Sequence, residues 1–319
     1  FGPTGFNSAA YGANVYVAAG NSGVLMSSTD LVQWTFRNPK FSEHAVRSVV
    51  FAAGLFVAVG NGGKLSTSPT GVTWTARTSQ FGTDSITRVV FSNGIFVAYG
   101  AAGKLSTSLD GITWTARTSG FGTGAINKIL FLSNLWVAVG VDGKLSTSID
   151  AITWTLRTTG LASALIALND VQFGNGVYVA VGNAASLISS PDGATWTLRD
   201  SGLGADIGEV AFGNGVFATR TTSGVPSTSV STNGIDWNTF TSRVAQGGDT
   251  DSLVFADGVF MIARSDASAH QSEDGAVWVA RGQSAIVNPT GQISLFFLNR
   301  FFFAVGSTSI QSVRTLASY

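Results

Sequence analysis

Cysteine is absent from the 319 residues, which excludes a disulfide framework, thiolate catalysis and any zinc site built on cysteine. Histidine occurs only as His44 and His270, too few for a histidine metal site or a nucleophilic triad. Charge is scarce too: 11% of residues carry one, against about 25% in an ordinary soluble domain. The 18 basic residues cancel the 18 acidic ones, so bulk charge gives no reason to expect nucleic acid or an anionic membrane as partner. No apolar run reaches the roughly 18 residues of a membrane-spanning helix. The longest candidates are interrupted, Leu161 to Leu168 by Ser163 and Leu295 to Val305 by Asn299 and Arg300. No membrane insertion is expected. A Gly-x-Ser-x-Gly elbow and a phosphate loop leading from a strand into a helix are also missing. The chain opens on Phe1 without a signal peptide and so reads as a processed or excised piece that lacks its targeting information.

What is present is repetition. Seven tryptophans, Trp34, Trp74, Trp114, Trp154, Trp196, Trp237 and Trp278, stand 40, 40, 40, 42, 41 and 41 residues apart. Around each runs one phrase, clearest at Val49-Val50-Phe51, Gly54 to Gly60, Lys64-Leu65-Ser66-Thr67-Ser68 and Thr73-Trp74-Thr75-Ala76-Arg77. Every copy holds four short runs rich in Val, Ile, Phe, Thr and Trp, parted by Gly, Asn, Asp and Ser, the pattern of strands joined by tight turns. Asn93-Gly94, Asn175-Gly176, Asn214-Gly215 and Asp257-Gly258 join the first and second runs as hairpin dipeptides. Asp110-Gly111, Asp192-Gly193, Asn233-Gly234 and Asp274-Gly275 join the third and fourth. Apolar residues do not recur at helical spacing.

Four antiparallel strands every 40 or so residues predict an all-β chain, a β-propeller filling 1–319 as one domain. The inner-strand aromatics Tyr11, Phe51, Phe91, Phe131, Phe173, Phe212, Phe255 and Phe297 count eight blades. These cover approximately 6–37, 46–77, 86–117, 126–157, 167–199, 207–240, 250–281 and 292–319. The alternative is seven blades, with the two terminal pieces sharing one. The eighth copy has no Trp, and its outer half, Ile310 to Tyr319, is too short for a full repeat.

The stretch Ser108-Leu109-Asp110-Gly111-Ile112-Thr113-Trp114 resembles the Asp-box of sialidase-like, BNR-type propellers and of photosystem assembly factors. Six related stretches recur, from Ser28 to Trp34 through Ser272 to Trp278. All are one residue shorter between Asp and Trp than the usual box, with Asp replaced by Thr70 and Asn233 and Gly by Leu31 and Ala151. In that family the box is a structural turn on the blade rim, remote from any active site. The phrasing of residues 114–123, Trp-Thr-Ala-Arg-Thr-Ser-Gly-Phe-Gly-Thr, also resembles propeller repeats in tail and fibre proteins of tailed bacteriophages. That likeness implies a virion or cell-surface location, which a neutral, Ser/Thr/Gly-rich, cysteine-free composition fits better than it fits a cytosolic enzyme.

Sialidases use an arginine triad, a Tyr–Glu nucleophile pair and an Asp acid/base, and open with an Arg-Ile-Pro element that is absent here. Glu occurs three times; Glu273 lies in a rim turn and Glu43 in a loop, leaving Glu209 on an inner strand. Arg37, Arg77, Arg117, Arg157, Arg199 and Arg281 recur once per blade beside Trp and read as packing or rim-pairing residues. No catalytic residue is assigned, and a hydrolase reading would rest on Glu209 and Asp170, which form no convincing carboxyl pair. Asp249 and Asp251 beside Gly247-Gly248 offer two carboxylates, short of the six to eight oxygens, roughly, that calcium takes. No metal or cofactor is expected.

Two sets of residues remain as ligand candidates. Three positions before the inner-strand aromatic, the blades read Ser8, Ser48, Arg88, Lys128, Asp170, Glu209, Ser252 and Ser294. That slot would line a central channel with two cations followed by two anions. Either Lys128 and Asp170 satisfy one another, or the slot forms a polar mouth for an ion, water or a sugar carboxylate. The second set sits on connections that look irregular: 38–45, 158–168, 221–229, 242–250 and 264–272. By strand polarity all five emerge on one face, bringing Phe41 as a stacking platform with His44, Arg243, Asp249, Asp251, Arg264 and His270. The expectation is a non-catalytic binding or structural propeller, a phage tail or fibre component meeting a bacterial surface glycan or other virion or surface proteins. A glycoside hydrolase with an unfamiliar site and a protein-binding assembly scaffold are the alternatives.

Overall fold

A computed structural model describes residues 5–161, 166–222, 227–241, 252–263, 268–283, 294–298, 301–305 and 310–313. They form seven four-stranded antiparallel sheets and one three-stranded sheet, each with its strands in chain order. The only helical turns among the described residues are two three-residue 3₁₀ turns, Asn61–Gly63 and Ala101–Gly103. The sheets are the blades of a β-propeller. The seven complete blades match the alternative count, but the terminal pieces do not share a sheet. Phe6–Gly12 heads a four-stranded sheet of its own, and Ser294–Leu298, Phe301–Val305 and Ile310–Val313 make the three-stranded one.

The chain divides into two compact units, Phe1–Thr118 with Val287–Tyr319, and Ser119–Ile286. In the first, the second sheet shows how the repeat folds. Its strands are Val46–Ala52, Leu55–Gly60, Leu65–Ser68 and Thr75–Arg77, from inner to outer. The second strand reads Leu-Phe-Val-Ala-Val, and Phe56 to Val59 are wholly buried because both of its faces are covered. Phe51 packs on Phe56 at 4.5 Å between ring centres, and Phe56 on Trp74 at 6.2 Å. The third strand is polar yet buried, since each hydroxyl is bonded. Ser66 Oγ donates to Pro39 O, Thr67 Oγ1 accepts from Arg77 Nε at 3.0 Å, and Ser68 Oγ accepts the Gly71 N–H at 2.9 Å. The outer strand is exposed at Thr75 and Ala76.

Each blade interlocks with the next inside its unit. A side chain at Gly12 would collide with the Phe51 ring, and Gly174 and Gly213 sit likewise against Phe212 and Phe255 in the second unit. Gly111, at φ +72°, lies where a Cβ would come 2.9 Å from Leu55 Cδ2 of the preceding blade. The second unit repeats the pattern in the sheets headed by Ile126–Leu132, Leu168–Gly174, Ile207–Gly213 and Ser252–Ala256. There the fifth sheet of the chain packs Tyr178 on Trp196 at 6.3 Å, and Tyr178 donates its hydroxyl to Leu132 O of the fourth at 3.0 Å.

Candidate functional site

The inner strands of the first six sheets carry one irregularity in common. In the second sheet Val46 pairs with Gly60 and Ser48 with Val59, so Arg47 is skipped as a bulge. The same step skips Asn7, Thr87, Asn127, Asn169 and Gly208. A bulge re-aims the residues beside it, and here it turns the slot three before the aromatic toward the following blade. Ser8 Oγ accepts the Val49 N–H at 3.1 Å, and Ser48 Oγ accepts the Val89 N–H at 3.4 Å. In the second unit Asp170 Oδ2 accepts the Val210 N–H at 3.3 Å, and Glu209 Oε2 accepts the Leu253 N–H at 2.5 Å. The skipped residue adds a second tie: Asn7, Asn127 and Asn169 donate Nδ2 to Val46 O, Leu168 O and Ile207 O.

Three of the four charged members of the slot, Lys128, Asp170 and Glu209, are accounted for by such ties. Lys128 Nζ lies 3.0 Å from Asp170 Oδ1, the pairing expected between neighbouring blades. That same oxygen accepts the Val171 N–H at 2.8 Å, a donor that the cationic Lys128 of the preceding blade cannot accept. Glu209 is paired with Arg220, Nε to Oε2 3.3 Å, across its own hairpin, where the two are register partners. Sequence reasoning missed Arg220. Its signal was the lone charge in Val216–Thr221, at the position that is Val59, Val139 or Val181 in other copies. Arg88 stands half-buried opposite Tyr99.

The loop candidates fare differently. Phe41 is fully buried, in one cluster with Val46, Phe56 and Trp74, so it is no stacking platform. The connection 38–45 is not irregular either. His44 N–H bonds to Phe41 O at 3.1 Å, as Asp84 does to Phe81 O and Gly124 to Phe121 O, and Phe81 and Phe121 are buried in the same way. The 40-residue spacing of Phe41, Phe81 and Phe121 was the overlooked signal. His44 is exposed, its Nδ1 3.2 Å from Phe41 O and its ring beside Gly62. His270 lies not in a loop but buried in the strand Ser268–Ser272, opposite Ile262 and Ala280. Arg243, Asp249, Asp251 and Arg264 lie outside the described residues, as do 162–165, 223–226 and 242–250 of the other connections. Among the described residues no group of three His, Asp or Glu side chains could hold a metal ion.

In the blades whose connections are described, the interblade connection and the turn between second and third strands meet at one end. Asn61, Ala101, Val141, Asn183 and Thr222 donate backbone N–H groups to Ala45, Ser85, Ala125, Ala167 and Asp206, at 2.8 to 3.1 Å. The exposed positions there include Ser42, Thr83, Gly122 and Thr123 together with Glu43, His44 and Asp142. Lys104 and Lys144 donate to Phe81 O and Phe121 O, and pair with Asp84 and Asp142.

At the opposite end the turn between third and outer strands is built the same way in the five blades that carry Asp there; in the second, Thr70 Oγ1 accepts the Val72 N–H at 3.3 Å, and in the sixth the Trp237 Nε1 is buried without a partner among the described residues. Asp110 Oδ1 accepts the Ile112 and Thr113 N–H groups at 2.8 Å and the Ser108 hydroxyl at 2.9 Å, and Trp114 Nε1 donates to Gly111 O. The backbone N–H of Thr113, then that of Ile112, pull the Asp110 carboxyl down to about 2. Asp30, Asp150, Asp192 and Asp274 are lowered too, the first three chiefly by the same two backbone donors. The rim arginines bond inward: Arg37, Arg77, Arg117, Arg157 and Arg199 each donate Nε to a Ser or Thr of the third strand at 2.8 to 3.0 Å.

No protein-family model matches the chain, and no curated protein matches it in sequence. Solved structures match it in fold. The computationally designed Ika8 protein superposes with a TM-score of 0.76 at 14% identity, over 98% of this chain and 96% of that one. BamB from Moraxella catarrhalis gives 0.69 at 13%, over 98% and 95%. YCF48 bound to D1 peptide gives 0.63 at 15%, over 98% and 93%. At such identities the likeness is one of β-propeller architecture.

Proposed function

We propose that this chain is a non-catalytic binding propeller on an extracellular particle, a phage tail or fibre component that recognises a bacterial surface glycan. One observation carries the reading: the inner-strand carboxylates Asp170 and Glu209 are each tied to a cation and to backbone N–H groups of a neighbouring strand. Their oxygens hold blades together, whereas glycoside hydrolysis needs two carboxyl groups facing one bond. Among the described residues the connection end instead presents the hydroxyls of Ser42, Thr83 and Thr123, beside Glu43, His44 and Asp142, on a sheet scaffold. Short hydroxyl and amide side chains suit the hydroxyls of a sugar, and the resemblance of residues 114–123 to phage tail repeats supplies the setting. The peptide held by YCF48 supports a protein-binding scaffold as the second reading.

The test is a bacterial polysaccharide and glycan array run beside a reducing-sugar release assay. Saturable binding without release, retained in Glu209→Gln, is expected. Release of sugar that disappears in Glu209→Gln overturns the reading in favour of a hydrolase. Failure of every glycan to bind, with capture of defined surface-protein peptides, moves it to the scaffold class.

A further inference from the structure

Five Asn-Gly dipeptides occur in the chain, at Asn61, Asn93, Asn175, Asn214 and Asn233. The pair is reactive toward its own backbone, because a glycine nitrogen has no neighbouring side chain to shield it from the Asn side-chain carbonyl. The fold sorts the five by access to that nitrogen. Gly176 and Gly215 stand at the tips of two-residue hairpins, since Gly174 pairs with Val177 and Gly213 with Val216. Both are exposed, as is Gly94, and a Cβ on any of the three would meet no atom within 4 Å. Gly234 is the opposite case. It is buried, a Cβ there would lie 2.9 Å from Val179 Cγ2, and its N–H is given to Ser231 Oγ at 2.8 Å. Gly62 is covered by the His44 ring.

Asn175 and Asn214 are set apart from Asn93 by what their amides hold. Asn175 Nδ2 donates to Gly215 O and Thr232 O, both at 2.8 Å, tying the fifth sheet to the first hairpin and the rim turn of the sixth. Asn214 Nδ2 ties the sixth to the seventh in the same way, through Gly258 O at 2.8 Å and Glu273 O at 3.0 Å. The Asn93 side chain makes no hydrogen bond among the described residues.

We infer that Asn175 and Asn214 are self-modification sites that record opening of the seams between the fifth, sixth and seventh sheets and make it permanent. While the amide is clamped, Cγ is held away from the following nitrogen; local opening of the seam releases it. The glycine nitrogen then bonds to Cγ, and Nδ2 leaves as ammonia with the proton that nitrogen gives up, closing a succinimide ring. Water opens the ring at either carbonyl, leaving aspartate or, with the chain rerouted through Cγ, isoaspartate. Both products lose the two Nδ2 donors and set a carboxylate, which only accepts, against two carbonyl oxygens. The damage stays local, because Ala13 and Ala53 occupy the same hairpin position, at φ 48° and 50°, in sheets that form without the clamp. This chemistry needs no cofactor and is independent of what the connection end binds.

The test is peptide mapping by mass spectrometry of the whole chain held at mildly alkaline pH, each conversion reading as a gain of about 1 Da. Asn93 should convert first, Asn175 and Asn214 at least about fivefold more slowly, and Asn61 and Asn233 not at all over the same period. Urea below the unfolding transition should raise the rates at Asn175 and Asn214 toward that at Asn93 and leave the Asn93 rate unchanged. With Asn93→Ala in the background, ageing should lower the melting temperature at least as far as Asn175→Ala and Asn214→Ala together lower it in fresh protein, and ageing that multiple variant should lower it no further. Asn175 and Asn214 intact in urea after Asn93 has converted, conversion of Asn61 or Asn233 at their rate, or their conversion with an unchanged melting temperature would each overturn the inference.

Discussion

The chemistry of single side chains is dominated by acceptors bonded to backbone N–H groups. Asp110 illustrates the pH consequence. Its carboxyl sits at about 2 when folded against an ordinary 3.8, so it contributes stability above about pH 4 and loses it as pH falls through about 2. Five such turns act in the same direction. The melting temperature should therefore be flat with respect to these groups above about pH 4 and fall below it, as an acid titration by circular dichroism would check. Asp110→Asn should fold and weaken that acid dependence, because Asn233 Oδ1 already accepts two backbone N–H groups at 2.9 Å in the sixth sheet. Asp110→Ala should cost about 1 kcal/mol or less, since water competes for an exposed turn. The Glu209–Arg220 pair behaves differently because Arg220 is 6% exposed. Glu209→Ala removes the carboxylate partner of that buried charge and should cost about 3 kcal/mol in urea denaturation, while replacing both by Leu should recover most of the loss.

At the scale of strands and connections, the structure shows which regularities carry weight. Phe121→Ala removes the anchor of a connection between blades and should destabilise by about 3–5 kcal/mol. Mutating the exposed Thr123 beside it should change stability by less than about 0.5 kcal/mol. Gly111→Ala combines a left-handed backbone with a Cβ pressed on Leu55, so a loss above about 1 kcal/mol is expected from the same denaturation curves. The strands themselves were legible in the sequence because alternating apolar runs and Asn-Gly or Asp-Gly dipeptides report local physics. The connections were not. Phe41 looked like an exposed aromatic because its loop is polar on both sides, and only its recurrence as Phe81 and Phe121 marks it as core. His270 misled for a related reason, since a polar residue in a third strand is buried in this fold, as Ser66 and Ser146 are.

Over the whole chain, sequence periodicity decided the architecture, and β-propeller neighbours spanning 98% of its length agree with it. The site was only half readable. The Lys128–Asp170 pair could be seen because both ends fall in one slot of adjacent repeats, whereas Arg220 lies on a different strand from Glu209 and adjacency in the slot could not reveal it. If the inner-strand ties are structural, Asp170→Asn and Glu209→Gln should lower the melting temperature and leave glycan affinity within about twofold, measured on the array-selected ligand.

The bulge that hands each slot residue to the next strand has one more consequence. Ser8 meets Val49 by the same bond with which Ser48 meets Val89, so the junction before a copy is interchangeable with the junction after it. A gene that gains or drops one 40-residue tract by unequal recombination rebuilds its junctions with no new chemistry to evolve. The near-identical stretches at 64–77, 104–117 and 144–157 carry the mark of such a history. A lineage of this protein is thereby free to change the number of its modules faster than it changes any one of them.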